Sequence, residues 1–449
     1  MKKKIIFYVL MINISLLSQQ NINFELAGFH PSDQFVVNNE PSVAINPTDS
    51  NNIVIATNYR DLTGISYPQY DSALLGIYYK TSPTGSWNFS SLPQMDLDLS
   101  VDPSIAFDNN GKLWCAYIGY NHSMVVGGVY DETFGVYANY STNKGATWLQ
   151  YSYTIEEVSQ QDLDLDKTYI HINQYTNQVF IAYSQAYLNI PLINEERKRI
   201  KISAYDFETN SFTQPFVLND ENNIGYVQAP YIITDQSDNI YVFFYCRRIV
   251  PTDEYQIRCV KLSFDGSNFY KIWEKVVSDL TPIDDYLGIA PYHFRTVNQP
   301  VAVVSPGTGN MHIIWADKVN GRAQIMMSNS SDDGETWSSK YPVDDLPSGE
   351  QFFPWITFSE NNRMNIIYYY MYSSTADVIS PVYLTSFDGG TTFHKTKFVN
   401  DDFVFHYTYT NWPDNLNFIG DYIGISSNND EIIAAYTGNN IIQTNTELL

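Results

Sequence analysis

The chain has 449 residues and a formal charge of −24, from 25 Lys and Arg against 49 Asp and Glu. That balance weighs against nucleic acid as a partner, because phosphate recognition needs clustered cations. It fits an acidic, well-solvated surface and is compatible with Ca²⁺ or neutral sugars. Aromatic residues make up 15% of the chain, 36 of them Tyr, and charged residues only 16%, a composition suited to packed strands.

The N-terminus opens with Lys2, Lys3 and Lys4, an apolar run from Ile5 to Leu17, then Ser18. Charge, a short apolar core and a small residue fit a cleaved export signal over residues 1–18. The run is too short for a comfortable membrane span, so the mature chain, 19–449, is expected outside the cell, secreted or at the surface, as a monomer.

Beyond it one phrase recurs: an apolar stretch, a polar turn, and a second apolar stretch ending in an aromatic. Copies begin at Pro41, Pro103, Thr168, Pro230, Pro300, Pro354 and Asp421, 54 to 70 residues apart. A unit recurring along the whole chain marks a repeat architecture, and an all-strand unit marks a β-propeller. The expected fold is all-β: a seven-bladed β-propeller of four-stranded antiparallel blades in one domain. Continuous apolar runs such as YVFFY (241–245) follow from blades buried on both faces. Turn residues such as Asn109-Asn110-Gly111 separate the strands. The last unit ends short of its outer strand, so the stretch from about Phe24 to Val37 is expected to supply it and close the ring.

Three units carry a sharper motif after their third strand, Ser-x-Asp/Asn-x-Gly-x-Thr-aromatic: Ser141 to Trp148, Ser330 to Trp337 and Ser386 to Phe393. It resembles the Asp-box, or BNR repeat, of sialidase-like β-propellers, and the resemblance covers essentially all of the mature chain. In that family the boxes lie on the face away from the active site. The sialic-acid-cleaving members use an Arg triad, an Asp acid/base and a Tyr nucleophile backed by a Glu, since a guanidinium fork matches the sugar carboxylate. Their first Arg sits in an Arg-Ile-Pro phrase opening the first blade. Here that place reads Asn39-Glu40-Pro41-Ser42, so the resemblance implies the fold without the usual sialidase set.

A propeller binds ligands at the mouth, where first strands begin and second strands end. Glu40, Asp102, Asp166, His171 and Asp421 come from first-strand entries. Arg60, Asp61, His122, Tyr187, Arg247 and Asp317 come from second-strand exits, and Arg295 precedes the fifth unit. As a cleft, Arg60, His122, Tyr187, Arg247 and Arg295 would hold a sugar, with Asp61 or Asp317 as general acid. Alternatively Arg60-Asp61 and Asp317-Lys318 are ion pairs joining loops. Asp102, Asp166 and Asp421 could instead gather Ca²⁺, a hard cation wanting several oxygens, or be solvated with Lys167 as counter-ion. Cys246 and Cys259 flank a predicted hairpin and could pair in an oxidising compartment. Two functions follow: a module binding a glycan or an extracellular protein surface, or a glycoside hydrolase using carboxylates at the mouth.

Overall fold

The computed structural model describes residues 6–13, 23–29, 36–61, 73–82, 85–93, 97, 99–125, 129–159, 163–187, 198–219, 224–248, 254–283, 286–287, 294–372, 378–397, 403–404, 419–429 and 431–438. All described regular elements are strands. Blade 1 runs Val36–Asn46, Asp49–Asp61, Ala73–Lys80 and Asn88–Ser91. Blade 2 is Leu99–Phe107, Leu113–Val125, Val129–Ser141 and Tyr153–Ser159. Blade 3 is Leu163–Ile172, Val179–Tyr187 and Lys198–Asp206, with the outer pieces Ser211–Phe212 and Phe216–Val217. Blade 4 is Ile224–Thr234, Ile240–Arg248, Glu254–Phe264 and Phe269–Leu280. Blade 5 begins at Val301–Val304 and blade 6 at Glu350–Phe358. All pairings are antiparallel, and the first strands touch one another in ring order.

Complete blades built from one continuous stretch therefore number six, not seven. Among the described residues the last unit contributes Gly424–Ser427 and Glu431–Gly438. A composite sheet completes the ring, with Ile6–Asn13 pairing Glu431–Gly438 and Asn23–Phe29 lying outside it. The N-terminus thus supplies two strands here rather than the one expected, and Val36 and Val37 belong to blade 1. The apolar run read as an export signal includes one of these strands.

The core lies between blades. Along blade 4's second strand, Tyr241, Phe243 and Tyr245 pack toward blade 5, while Val242, Phe244 and Cys246 pack toward blade 3. Period-two alternation thus feeds two cores, and each fully buried side chain of this size contributes about 1.5–3 kcal/mol. The same parity separates the cysteines. Cys259 lies opposite Phe243 in the register and packs in the other core from Cys246, and all three thiols are free and buried. The expected Cys246–Cys259 bond is therefore corrected: the two side chains are on opposite faces of one sheet.

The three Ser-x-Asp/Asn-x-Gly-x-Thr turns close alike. Ser141, Ser330 and Ser386 accept from the N–H of Gly145, Gly334 and Gly390 at 2.9–3.0 Å. Asn143, Asp332 and Asp388 accept from the N–H of Thr147, Thr336 and Thr392 at 2.9 Å. The hydrogen bonds, first those of the Thr hydroxyls, hold Asp332 and Asp388 down to a pKa of about 2. Each Gly has a positive φ, which the missing Cβ permits.

One irregularity repeats and positions the site. Glu40, Asp102, Lys167, Ala229, Phe353 and Gly420 have φ between 50° and 94°, and each immediately precedes the start of a repeated phrase. In the five of these strands that pair across that point, the ladder slips there, for example between Asn39 and Ser42 and between Asp166 and Tyr169. These are β-bulges. They leave a residue unpaired, twist the strand and re-aim a side chain. A following Pro fits, since it has no N–H to offer the ladder. Non-glycine residues in this region are strained, and their recurrence at one level of the inner strands makes that level the place to look for function.

Candidate functional site

Residues from five inner strands, with Gln299 and Tyr422 just before the other two, line one axial cavity of 10 Å³, so this level lies on the propeller axis. The rings of Tyr169, Trp355 and Tyr422 line it and pack in one chain with Tyr231, which stacks on Tyr169 at 4.0 Å. A cavity this small holds about one water at most, so little free space is left at this level.

The bulge residues supply a charged ring beside these aromatic rings. Asp421 is buried, and its carboxylate takes Arg295 through Nε at 3.0 Å and through Nη2. Lys167 Nζ stands 2.6 Å from Asp421 Oδ2, 3.5 Å from Glu40 Oε1 and 5.0 Å from the Tyr422 ring centre. Glu40, also buried, accepts from the Asp421 N–H at 2.9 Å and from Asn58 Nδ2 at 2.7 Å. Asn58 in turn accepts from the Asp102 N–H at 2.8 Å. Gln228 donates to Asp166, and Thr168 Oγ1 donates to the Asp102 carbonyl at 2.7 Å. Blades 1, 2, 3, 4 and the closing sheet thus meet in one network. Gly420 is required there: a Cβ would come within 2.9 Å of the Glu40 backbone nitrogen.

Protonation follows the geometry. Desolvation, the neighbouring Glu40 carboxylate and Asp166 push the Asp102 carboxyl well above the carboxylate range, against the pull of Lys167. The Glu40 carboxylate beside it acts in the same direction as burial, as expected for acids that share one site. Asp421, Glu40, Asp102 and Asp166 outweigh the cost of burying Lys167 and raise its pKa. Arg295 is raised likewise, first by Asp421. Asp102 and Asp166 are half-buried and the Arg295 side chain is 42% exposed, so these three present the ring to solvent.

Of the candidate site residues, Arg295, Asp102, Asp166 and Asp421 are brought together. The proposed Ca²⁺ set is corrected: Lys167 and Arg295 stand where a divalent cation would bring its charge, and the described residues contain no metal-binding cluster. Asp317 is corrected as a free acid. It is fully buried and accepts from Thr281 N at 3.0 Å, Trp315 Nε1 at 3.1 Å and Lys340 Nζ at 2.7 Å, with Lys340 in place of the expected Lys318. His171 lies within the interblade packing, bonded to Thr234 Oγ1 at 2.9 Å, and burial lowers its pKa to about 4. Arg247 is half-buried in blade 4, paired between Tyr226 and Tyr255. Arg60, Asp61, His122 and Tyr187 sit at second-strand exits, and their side chains lie outside the described residues. Tyr422, Asn58 and Gln228 were missed. The column of residues just before each repeat start would have pointed to their neighbourhood.

No family model matches the chain, and neither does any curated protein. Among solved structures it is similar to a protein of unknown function from Dyadobacter fermentans, with TM-score 0.50, 13% identity, and coverage of 76% of this chain and 92% of that one. An ulvan lyase, a polysaccharide lyase, matches with TM-score 0.49, 9% identity and coverage of 80% and 78%. A Trypanosoma rangeli sialidase in complex with sialic acid matches with TM-score 0.42, 11% identity and coverage of 85% and 57%. At these identities the likeness concerns the fold alone.

Proposed function

We propose that the protein is an exported, glycan-binding β-propeller of the sialidase-like kind that holds a sugar at Arg295 without cleaving it. The observation that carries this is the state of the ring. Three of its carboxyl groups already have partners, Asp421 with Arg295 and Lys167, Glu40 with Asn58 and Lys167, and Asp166 with Gln228, while burial and Glu40 push Asp102 toward its neutral form. A hydrolase needs one carboxyl group to give a proton and another to act as nucleophile or base. A half-exposed guanidinium pinned by a buried aspartate suits recognition, because its orientation is fixed before the ligand arrives.

A second reading rests on Asp102. A half-buried carboxyl group that burial and a neighbouring carboxylate push toward the protonated form suits a general acid, so a glycoside hydrolase with Asp102 as proton donor is the alternative. A glycan-array screen of the wild type and Arg295→Ala tests the site. Binding that depends on Arg295 supports it. Binding that ignores Arg295, or silence across the array, overturns it and turns the search to protein partners. Export is tested by the intact mass of protein recovered from the medium: loss of about 18 residues would mark a cleaved signal and would remove Ile6–Asn13, the strand that pairs Glu431–Gly438, whereas an intact N-terminus would keep that closing strand. No described helix is long and apolar enough to cross a membrane.

A further inference from the structure

The turn following blade 3's third strand, around Asp206 to Ser211, lies beside the corresponding turn of blade 4, Asp265 to Asn268. Between them is an open groove of 810 Å³. These turns stand where the Ser-x-Asp/Asn-x-Gly motif stands in other blades, at the end of the propeller opposite the Arg295 ring. The groove is therefore a separate place, and nothing about it follows from the ring.

Its lining is specific in kind. Phe212, Phe216 and Tyr270 line it with aromatic rings, of which Tyr270 is the exposed one, and Gln214 and Asn268 supply amide groups; the Thr213 hydroxyl already accepts from the Ala204 N–H at 3.1 Å. The one charged liner, Asp206, is occupied in its own turn, accepting from Glu208 N at 2.8 Å and Thr209 N at 3.3 Å. Tyr270 is 53% exposed, yet its hydroxyl is fixed to Asp265 Oδ2 at 2.8 Å. Asp265 is itself held by the N–H groups of Ser267 and Asn268 at 2.9 and 2.7 Å. Behind it Phe216 and Phe269 stack at 6.0 Å, with Phe269 buried. The exposed ring is thus presented in one orientation, which lowers the entropic cost of stacking a ligand on it.

We infer that this groove is a second binding site, for a neutral oligosaccharide. The apolar face of a sugar ring matches a fixed aromatic face, and its hydroxyls match side-chain amides and hydroxyls that are neither cationic nor anionic. The volume falls in the range of about 300–1,000 Å³ typical of small-ligand sites. Anionic sugars are disfavoured, because the groove has no cation among its liners and the chain carries −24.

The test is calorimetric titration with a panel of neutral oligosaccharides of three to five units (gluco-, manno-, galacto- and xylo-series) and uronic-acid oligomers of equal length. The proteins are the wild type, Tyr270→Ala, Gln214→Ala and Arg295→Ala, each checked by thermal melt. The expected result is a neutral binder whose affinity falls at least tenfold in Tyr270→Ala and severalfold in Gln214→Ala, and is unchanged in Arg295→Ala. Absence of any neutral binder at millimolar concentration overturns the inference. So does a binder lost only in Arg295→Ala, which would belong to the mouth, or a preference for the uronic oligomers.

Discussion

Replacing Lys167 with Met keeps the side-chain stem and deletes the cation at the centre of the ring. At 2.6 Å from Asp421, its attraction is ~6 kcal/mol at an effective dielectric of about 20. Desolvation offsets much of this in the intact protein, but removal of one partner leaves the others buried without compensation, at a cost of about 3–5 kcal/mol. Asp421 keeps Arg295, which places the expected loss near the lower end, about 3 kcal/mol. Among the described residues Lys167 is the cation in salt-bridge reach of Glu40, with Arg295 acting on it from further off, so adding Glu40→Gln in the Lys167→Met background recovers part of the loss. The pH dependence has a definite sign. A lysine whose pKa is raised by folding contributes stability that is complete below its unfolded pKa and is lost only as pH climbs through the raised value. Wild type therefore keeps this contribution at pH 8, and the variant lacks it. Thermal melts at pH 8 and pH 5.5 check this: the variant melts well below wild type at pH 8, with a smaller deficit at pH 5.5, where surplus carboxylates can take protons. A variant that melts with wild type at pH 8 would refute the reasoning.

Three further outcomes follow from the same structure. Asp102 binds its proton more tightly folded than unfolded, so stability falls as pH rises from the ordinary carboxylate range toward its raised pKa; Asp102→Asn should raise the melting temperature at pH 7 and flatten the pH profile above pH 4. Gly334 has φ +77° and its Cβ would lie 3.0 Å from Trp273 Cη2, so Gly334→Ala should cost about 1–2 kcal/mol or more in a denaturant titration. Cys115, Cys246 and Cys259 are buried free thiols, with burial raising each pKa; a thiol reagent should label all three only after unfolding.

Much of the fold could be read from the chain because a propeller repeats its local grammar. Pro41, Pro103, Pro230 and Pro354 mark equivalent points, and continuous runs such as Ile240–Arg248 report a strand buried on both faces. Blade bookkeeping at the seam could not be read so simply. The last unit leaves two strands to be supplied, and which part of the N-terminus fills them depends on pairing across more than 400 residues. Cys246 and Cys259 looked pairable from spacing, but register and face parity forbid it. At the site, Asp102, Asp166, Asp421 and Arg295 were legible as polar residues at first-strand entries. Lys167 was legible as their counter-ion on a solvated face, but that it meets them and Glu40 in a ring with buried members was not, because that depends on left-handed bulges that turn Glu40, Asp102 and Lys167 to one place. Asp317 misled because an acid at a strand end looks the same whether it faces solvent or Lys340.

The central claim is that the mouth holds a sugar without cutting it. Its most direct test is prolonged incubation of the wild type with every glycan that binds in an Arg295-dependent manner, followed by mass-spectrometric analysis of the recovered glycan. The account predicts that the glycan returns intact at all pH values from 4 to 8. Cleaved product that disappears in Asp102→Asn would contradict it and make Asp102 the proton donor of a glycosidase.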